Sequence, residues 1–183
     1  MQPEPVATQR SAISRRPTRR RLSLTGPITV LPRALDAAIY AALDTAPVDL
    51  LPFFRVREKR GRVVETVRKH LATSGFRPAW LADWLADDIG FLARLFHEVV
   101  EAPTLRVRLE VVTGDACTQF HADNVRHRLV STYRGPGTEW ISPRAVATTP
   151  AGAPLPDDSI RRLNASMSRS CAASVTRRRI DLR

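Results

Sequence analysis

The chain has 183 residues, 43 % of them hydrophobic and 26 % charged, with a formal net charge of +11. That length suits one domain with appendages, and that composition excludes a wholly disordered chain. No stretch approaches the roughly 20 consecutive apolar residues of a membrane-spanning helix. Two cysteines, Cys117 and Cys171, exclude a disulfide scaffold and fit a reducing cytoplasm.

The charge is unevenly spread. Residues 1–22 carry net +5, residues 144–183 carry net +5, and residues 23–143 only +1. The near-neutral middle argues against nucleic acid as a partner, despite the basic total. Of 29 basic residues only Lys59 and Lys69 are Lys. A GC-rich coding sequence is one source of that bias.

Residues 1–25 read as a disordered basic leader, rich in Pro and Arg and without hydrophobic periodicity. Arg15-Arg16 and Arg19-Arg20-Arg21 leave three readings: an export signal, an electrostatic arm, or a solvated leader without function. Pro27, Pro32 and Arg33 interrupt the apolar region an export signal needs. The solvated leader is favoured, and the expected location is cytoplasmic.

Residues 26–145 read as a single α+β domain. Leu35, Ala38, Ile39 and Ala42 share a helical stripe within 33–44. Pro47 and Pro52 break the next stretch. Val64, Val67 and Leu71 mark a second helix over 61–74, which Gly75 stops. Pro78 opens the strongest helical run, 78–101, with Leu81, Trp84, Leu85 and Asp88 at helical spacing. Gly90 is a point where that run could split in two, and Pro103 ends it.

The period then changes to two. Leu105, Val107, Leu109 and Val111 alternate with Arg106, Arg108 and Glu110, predicting a strand over 104–112. Residues 117–123 and 127–133 predict two more strands, and Glu139-Trp140-Ile141 a fourth. The expected order is helices first, then a β-meander.

Residues 117–127 spell Cys-x3-His-x-Asp-x3-His. On a strand, Cys117, Gln119, His121 and Asp123 would share one face. An imidazole and a carboxylate two residues apart can ligate one divalent first-row metal ion. Two His and one carboxylate with open positions make the facial triad of non-haem iron oxygenases. The bland reading is a surface strand with outward polar groups. For Cys117 it is a small buried hydrophobe, and for His127 a pairing with Asp123 or Glu139. His70 and His97 receive no role. Arg106, Arg108, Arg126, Arg128 and Arg134 cluster in or beside the expected sheet, where guanidinium groups clamp carboxylates or simply face solvent. No Gly-x-Ser-x-Gly elbow and no phosphate-cradling Gly loop occurs.

Three runs together are distinctive: Arg108 to Val112, Cys117 to Asn124, and Arg128 to Trp140. They resemble a bacterial family known as domain of unknown function 1826, over roughly residues 26–145. The resemblance implies a likeness to the 2-oxoglutarate/Fe(II) oxygenases, with an incomplete antiparallel jelly-roll-like sheet (a double-stranded β-helix) under the helices. His121 and Asp123 match the first ligand pair of such enzymes. Tyr133 and Gly135-Pro136-Gly137 resemble the segment that follows it. The implied cofactors are Fe(II) and 2-oxoglutarate, acting on an unknown small-molecule or protein substrate. Zinc is the alternative, because the family is associated with zinc-responsive gene neighbourhoods. That reading makes the chain a non-enzymatic zinc-binding or accessory protein using Cys117, His121, Asp123 and His127. A third reading has the basic tails bind nucleic acid. Neither the substrate nor the oligomeric state is legible in the sequence.

The pattern is then lost. No His follows His127, and residues 146–183 read as an irregular Arg-rich tail. The expectation is a chain truncated or frame-shifted after about Arg144, lacking the strands that would carry a distal His and a carboxylate-binding Arg. A genuine but divergent tail is the alternative.

Overall fold

A computed structural model describes residues 28–114, 120, 125–150, 153–162 and 170–177. Its elements run β1 (Ile28–Ala34), α1 (Ala37–Thr45), β2 (Phe54–Lys59), α2 (Val63–Thr73), α3 (Ala79–Val100), β3 (Thr104–Leu109), β4 (His127–Ser131), β5 (Glu139–Ile141), α4 (Pro143–Thr148), β6 (Ile160–Arg162) and β7 (Ser170–Arg177). This is an α+β fold. No helix of the described residues is long and apolar enough to cross a membrane.

The helices follow the apolar spacing. The Asp36 side chain caps α1 by accepting from the Ala38 amide at 2.8 Å, and α1 buries Ile39 and Leu43. Helix α2 buries Val63, Val67 and Leu71. It ends before Gly75, whose φ of 77° is the left-handed conformation expected of a helix stop. Helix α3 buries Leu81, Leu85, Ala86, Ile89, Leu92 and Ala93 along one side. It runs unbroken through Gly90, so the split allowed there is corrected. A Cβ at position 90 would collide with the Val64 side chain, so the glycine serves the close approach of α2 to α3. Helix α3 ends at Val100, three residues before Pro103.

The strands depart more from expectation. The helix expected over 33–44 begins only at Ala37, and residues 28–34 form β1. The order is not helices first, because β1 and β2 come before α2. Nor do the described strands form a meander. Strand β2 pairs antiparallel with β3, with Phe54 opposite Leu109 and Lys59 opposite Thr104. Strand β7 lies between β1 and β4, antiparallel to both, and β5 pairs with β6. The strand expected over 104–112 stops at Leu109, and that over 127–133 stops at Ser131. The short β5 lies where expected.

The irregular tail expected from 146 onward is corrected at two places, β6 and β7. Their sequences, IRR and SCAASVTR, lack clean apolar alternation. Their strand conformation is set by the partners that supply the ladder hydrogen bonds, a tertiary effect that local pattern does not carry. The leader, residues 1–25, lies outside the described residues.

The core is one cluster built on α1, α2, α3 and the inner face of the β2–β3 ladder. Val67, Leu71, Phe76 and Leu81 are its most deeply buried large side chains. Phe54 and Leu105 close it from the ladder side, with Val56, Val107 and Leu109 packed at its margin.

Candidate functional site

Of the four expected metal ligands, Cys117, His121 and Asp123 lie outside the described residues. His127 opens β4, is half-buried, and sits opposite Arg177 of β7. Among the described residues no group of three or more His, Cys, Asp or Glu is placed to hold a metal ion. The five arginines expected near the sheet do not converge. Arg106 and Arg108 lie exposed on β3, Arg126 and Arg128 are exposed at β4, and Arg134 donates to the Ala46 carbonyl.

The described residues instead bring together a polar node that links α3 to the three-stranded sheet. Asp88 stands in the middle of α3. One carboxylate oxygen pairs with the Arg33 guanidinium of β1. The other accepts from the Tyr133 hydroxyl at 2.7 Å, just beyond β4. Arg33 also reaches across β7 toward the Ser131 hydroxyl of β4, at 3.5 Å. The Tyr133 ring meets Trp84 edge-on, with centroids 6.1 Å apart and planes at 85°. Trp84 precedes Asp88 by one helical turn, so both project from the same side of α3.

The Arg33 and Asp88 side chains keep only 13 % and 11 % of their surface exposed. A charge so buried requires a partner, because its desolvation is costly when unpaired. The node therefore holds β1, α3 and the end of β4 in fixed relation. Both carboxylate oxygens of Asp88 are engaged. Sequence reasoning placed Asp88 on the apolar stripe of α3 without giving it a role. The legible signal was an acid on a core-facing stripe. Which of 29 cations answers it was not legible.

Two other histidines are explained by packing. His70 stacks on Phe54 at 5.4 Å. His97 is buried near the C-terminus of α3, and its Nε2 has no hydrogen-bond partner among the described residues. It borders a cavity of about 40 Å³, shared with Gly61, Val63, Val64, Gly90 and Arg94. Burial lowers its pKa below the ordinary 6.5, the nearby Arg60 charge lowers it further, and a hydrogen bond with the Ala102 backbone acts the other way. A larger, open depression of about 320 Å³ lies where the end of α2 meets the start of α3. Arg68 at its rim bridges Asp87 at 2.6 Å and Asp83 at 3.7 Å.

No curated protein and no solved structure matches the chain. A family profile does, and it runs past Arg144, where the resemblance implied a break. That profile, described as protein of unknown function (DUF1826), matches residues 20–176, and the chain belongs to that family.

Proposed function

We propose that the chain is a metal-binding protein with an oxygenase-like site centred on His121 and Asp123. The observation that carries this reading is the donor set itself. A neutral imidazole and a carboxylate two residues apart suit a divalent first-row ion with open positions left for a substrate. They stand four to six residues before β4, a strand anchored on β7 and joined to α3 through the Tyr133–Asp88 bond. The framework we propose is helices on an incomplete jelly-roll-like sheet. Cys117 and His127 are the residues that would complete the ligand set.

Bound there, Fe(II) with 2-oxoglutarate would supply oxidative chemistry. The chain's own residues would hold the ion, orient the substrate and limit water. Zinc at the same residues is the second reading, and it makes the protein an accessory rather than an enzyme.

Metal titration of the full chain tests the site. His121→Ala and Asp123→Ala should each lower affinity by at least tenfold, since a ligand is lost and not merely a neighbour of one. Unchanged affinity in both variants would sink the proposal. Aerobic conversion of 2-oxoglutarate to succinate with added Fe(II) selects the enzyme. Zinc binding without that conversion selects the accessory role.

A further inference from the structure

The middle of the chain is nearly neutral in sum, but its charges are segregated by the fold. The β2–β3 ladder turns Phe54, Val56, Leu105, Val107 and Leu109 toward the core. The two-residue repeat then sends Arg55, Arg57 and Lys59 of β2 outward together with Arg106 and Arg108 of β3, and all five are exposed. The acids go elsewhere. Glu58 points inward and accepts from the Thr66 hydroxyl of α2 at 3.1 Å. Asp83 and Asp87 face Arg68 on the helical side. Among the described residues only Glu110, just past β3, meets this face, where it pairs with Arg108.

The register sharpens the arrangement. Arg55 stands directly opposite Arg108, and Arg57 directly opposite Arg106. Like charges opposed across a ladder are destabilising. Among the described residues Arg55, Arg57, Lys59 and Arg106 form no ion pair, and Arg57 donates only to Thr104, at 3.2 Å. Two rows of guanidinium groups, about 5 Å apart and repeating about every 6.7 Å along each strand, therefore face solvent, and among the described residues Glu110 beside Arg108 is the one anion that meets them. At one end of the rows, just before β2, Phe53 is 69 % exposed, and Val112, just beyond β3, is 57 % exposed.

We infer that this face binds single-stranded nucleic acid. Arginine meets phosphate bidentately and stacks on planar rings, which lysine does not do as well. A linear array of cations suits a linear polymer of phosphates. An exposed aromatic ring beside it offers a stacking surface for a base. A lipid surface would instead call for apolar side chains projecting along the face, and here they gather at one end. The inference does not rest on the metal reading.

The test measures fluorescence anisotropy of a labelled oligothymidylate of about 16 nucleotides, with a duplex of equal length for comparison. The full chain is used, with salt varied between about 50 and 200 mM. Arg57→Glu/Arg106→Glu is compared with Arg144→Glu/Arg161→Glu, an equal charge change at exposed positions outside the ladder. The ladder variant should lose at least tenfold in affinity, and its salt slope should fall by about two, while the control moves by less than about threefold. Phe53→Ala should weaken single-strand binding by about tenfold and duplex binding far less. Arg57→Gln/Arg106→Gln, which introduces no new charge, should lose affinity in the same direction. Equal losses in the ladder and control variants would mean bulk charge or the Arg-rich tails do the binding, and would overturn the inference. So would unchanged binding in the ladder variants, or no binding by the wild type. Loss of binding to phosphatidylserine vesicles with oligonucleotide affinity unchanged would assign the face to lipid instead.

Discussion

Residues 35–109 and residues 127–177 are held in different ways. The first region supplies the whole main buried cluster, from Leu35 to Leu105. In the second, Ile141 is the one buried hydrophobic among the described side chains. The first region has two long helices packed side by side and a ladder closing their core. The second has β4, β5, β6 and β7, paired as antiparallel ladders, with β1 contributed from upstream. Backbone ladders need little apolar sequence, but each net hydrogen bond contributes only about 1 kcal/mol, against about 2 kcal/mol for a buried Leu. The Arg33–Asp88–Tyr133 node ties the first region to the second, and the Arg134 bond to the Ala46 carbonyl is a further tie.

The strongest way to break this contrast is to cut the core. Leu81→Ala, at a position with 0 % exposure, should cost about 2–5 kcal/mol, whereas Ile141→Ala should fall at the low end of that range. Denaturant melts of both variants decide it, and equal costs would mean the two regions share one core. Next in size is Asp88→Ala, which removes the carboxylate that Arg33 and Tyr133 share. A loss of about 3 kcal/mol is expected. Hydrogen exchange should show protection falling first in β4 and β1 while α2 and α3 stay protected.

Gly90→Ala probes the helix pair alone. The added methyl meets Val64, and a cost of about 1–3 kcal/mol is expected, with a Val64→Ala second change recovering part of it. On the ladder's outer face the sign reverses. Arg57→Glu places an acid opposite Arg106 and should stabilise the protein by about 0.2–1 kcal/mol, seen as a higher melting temperature.

The smallest effect is tied to pH. His97 has its pKa lowered first by burial and then by Arg60. The unfolded chain therefore binds more protons than the folded one as pH falls through 6.5. This group's contribution is complete above that value and is lost as pH falls below it. Melting temperatures between about pH 8 and pH 5 should show acid lability that His97→Leu reduces.

Legibility followed the same division. The α2 and α3 stripes were plain in the sequence because Val67, Leu71, Leu81 and Leu85 recur at the helical period over many residues. The alternation of β3 was equally plain. Strand β2 was obscured by Pro47 and Pro52, although both lie before its first residue. Strands β6 and β7 carried no pattern, since Arg161, Arg162 and the Ser-Ala run of β7 gain strand conformation only from their partners. For the candidate metal site, the sequence named the donors by chemistry, and among the described residues only His127 has a place in the fold.

By itself the sequence determined the class of the fold, the helical core, the family to which the chain belongs and the chemical character of His121 and Asp123. Those properties depend on residue type and short-range spacing, which a linear text preserves. Only the tertiary structure decided that β7 enters between β1 and β4, that Asp88 answers Arg33, and that a nearly neutral middle gathers five cations on one face. Each of these joins residues far apart in the chain, and a sum of charges or a local period contains no record of which distant strand will lie alongside.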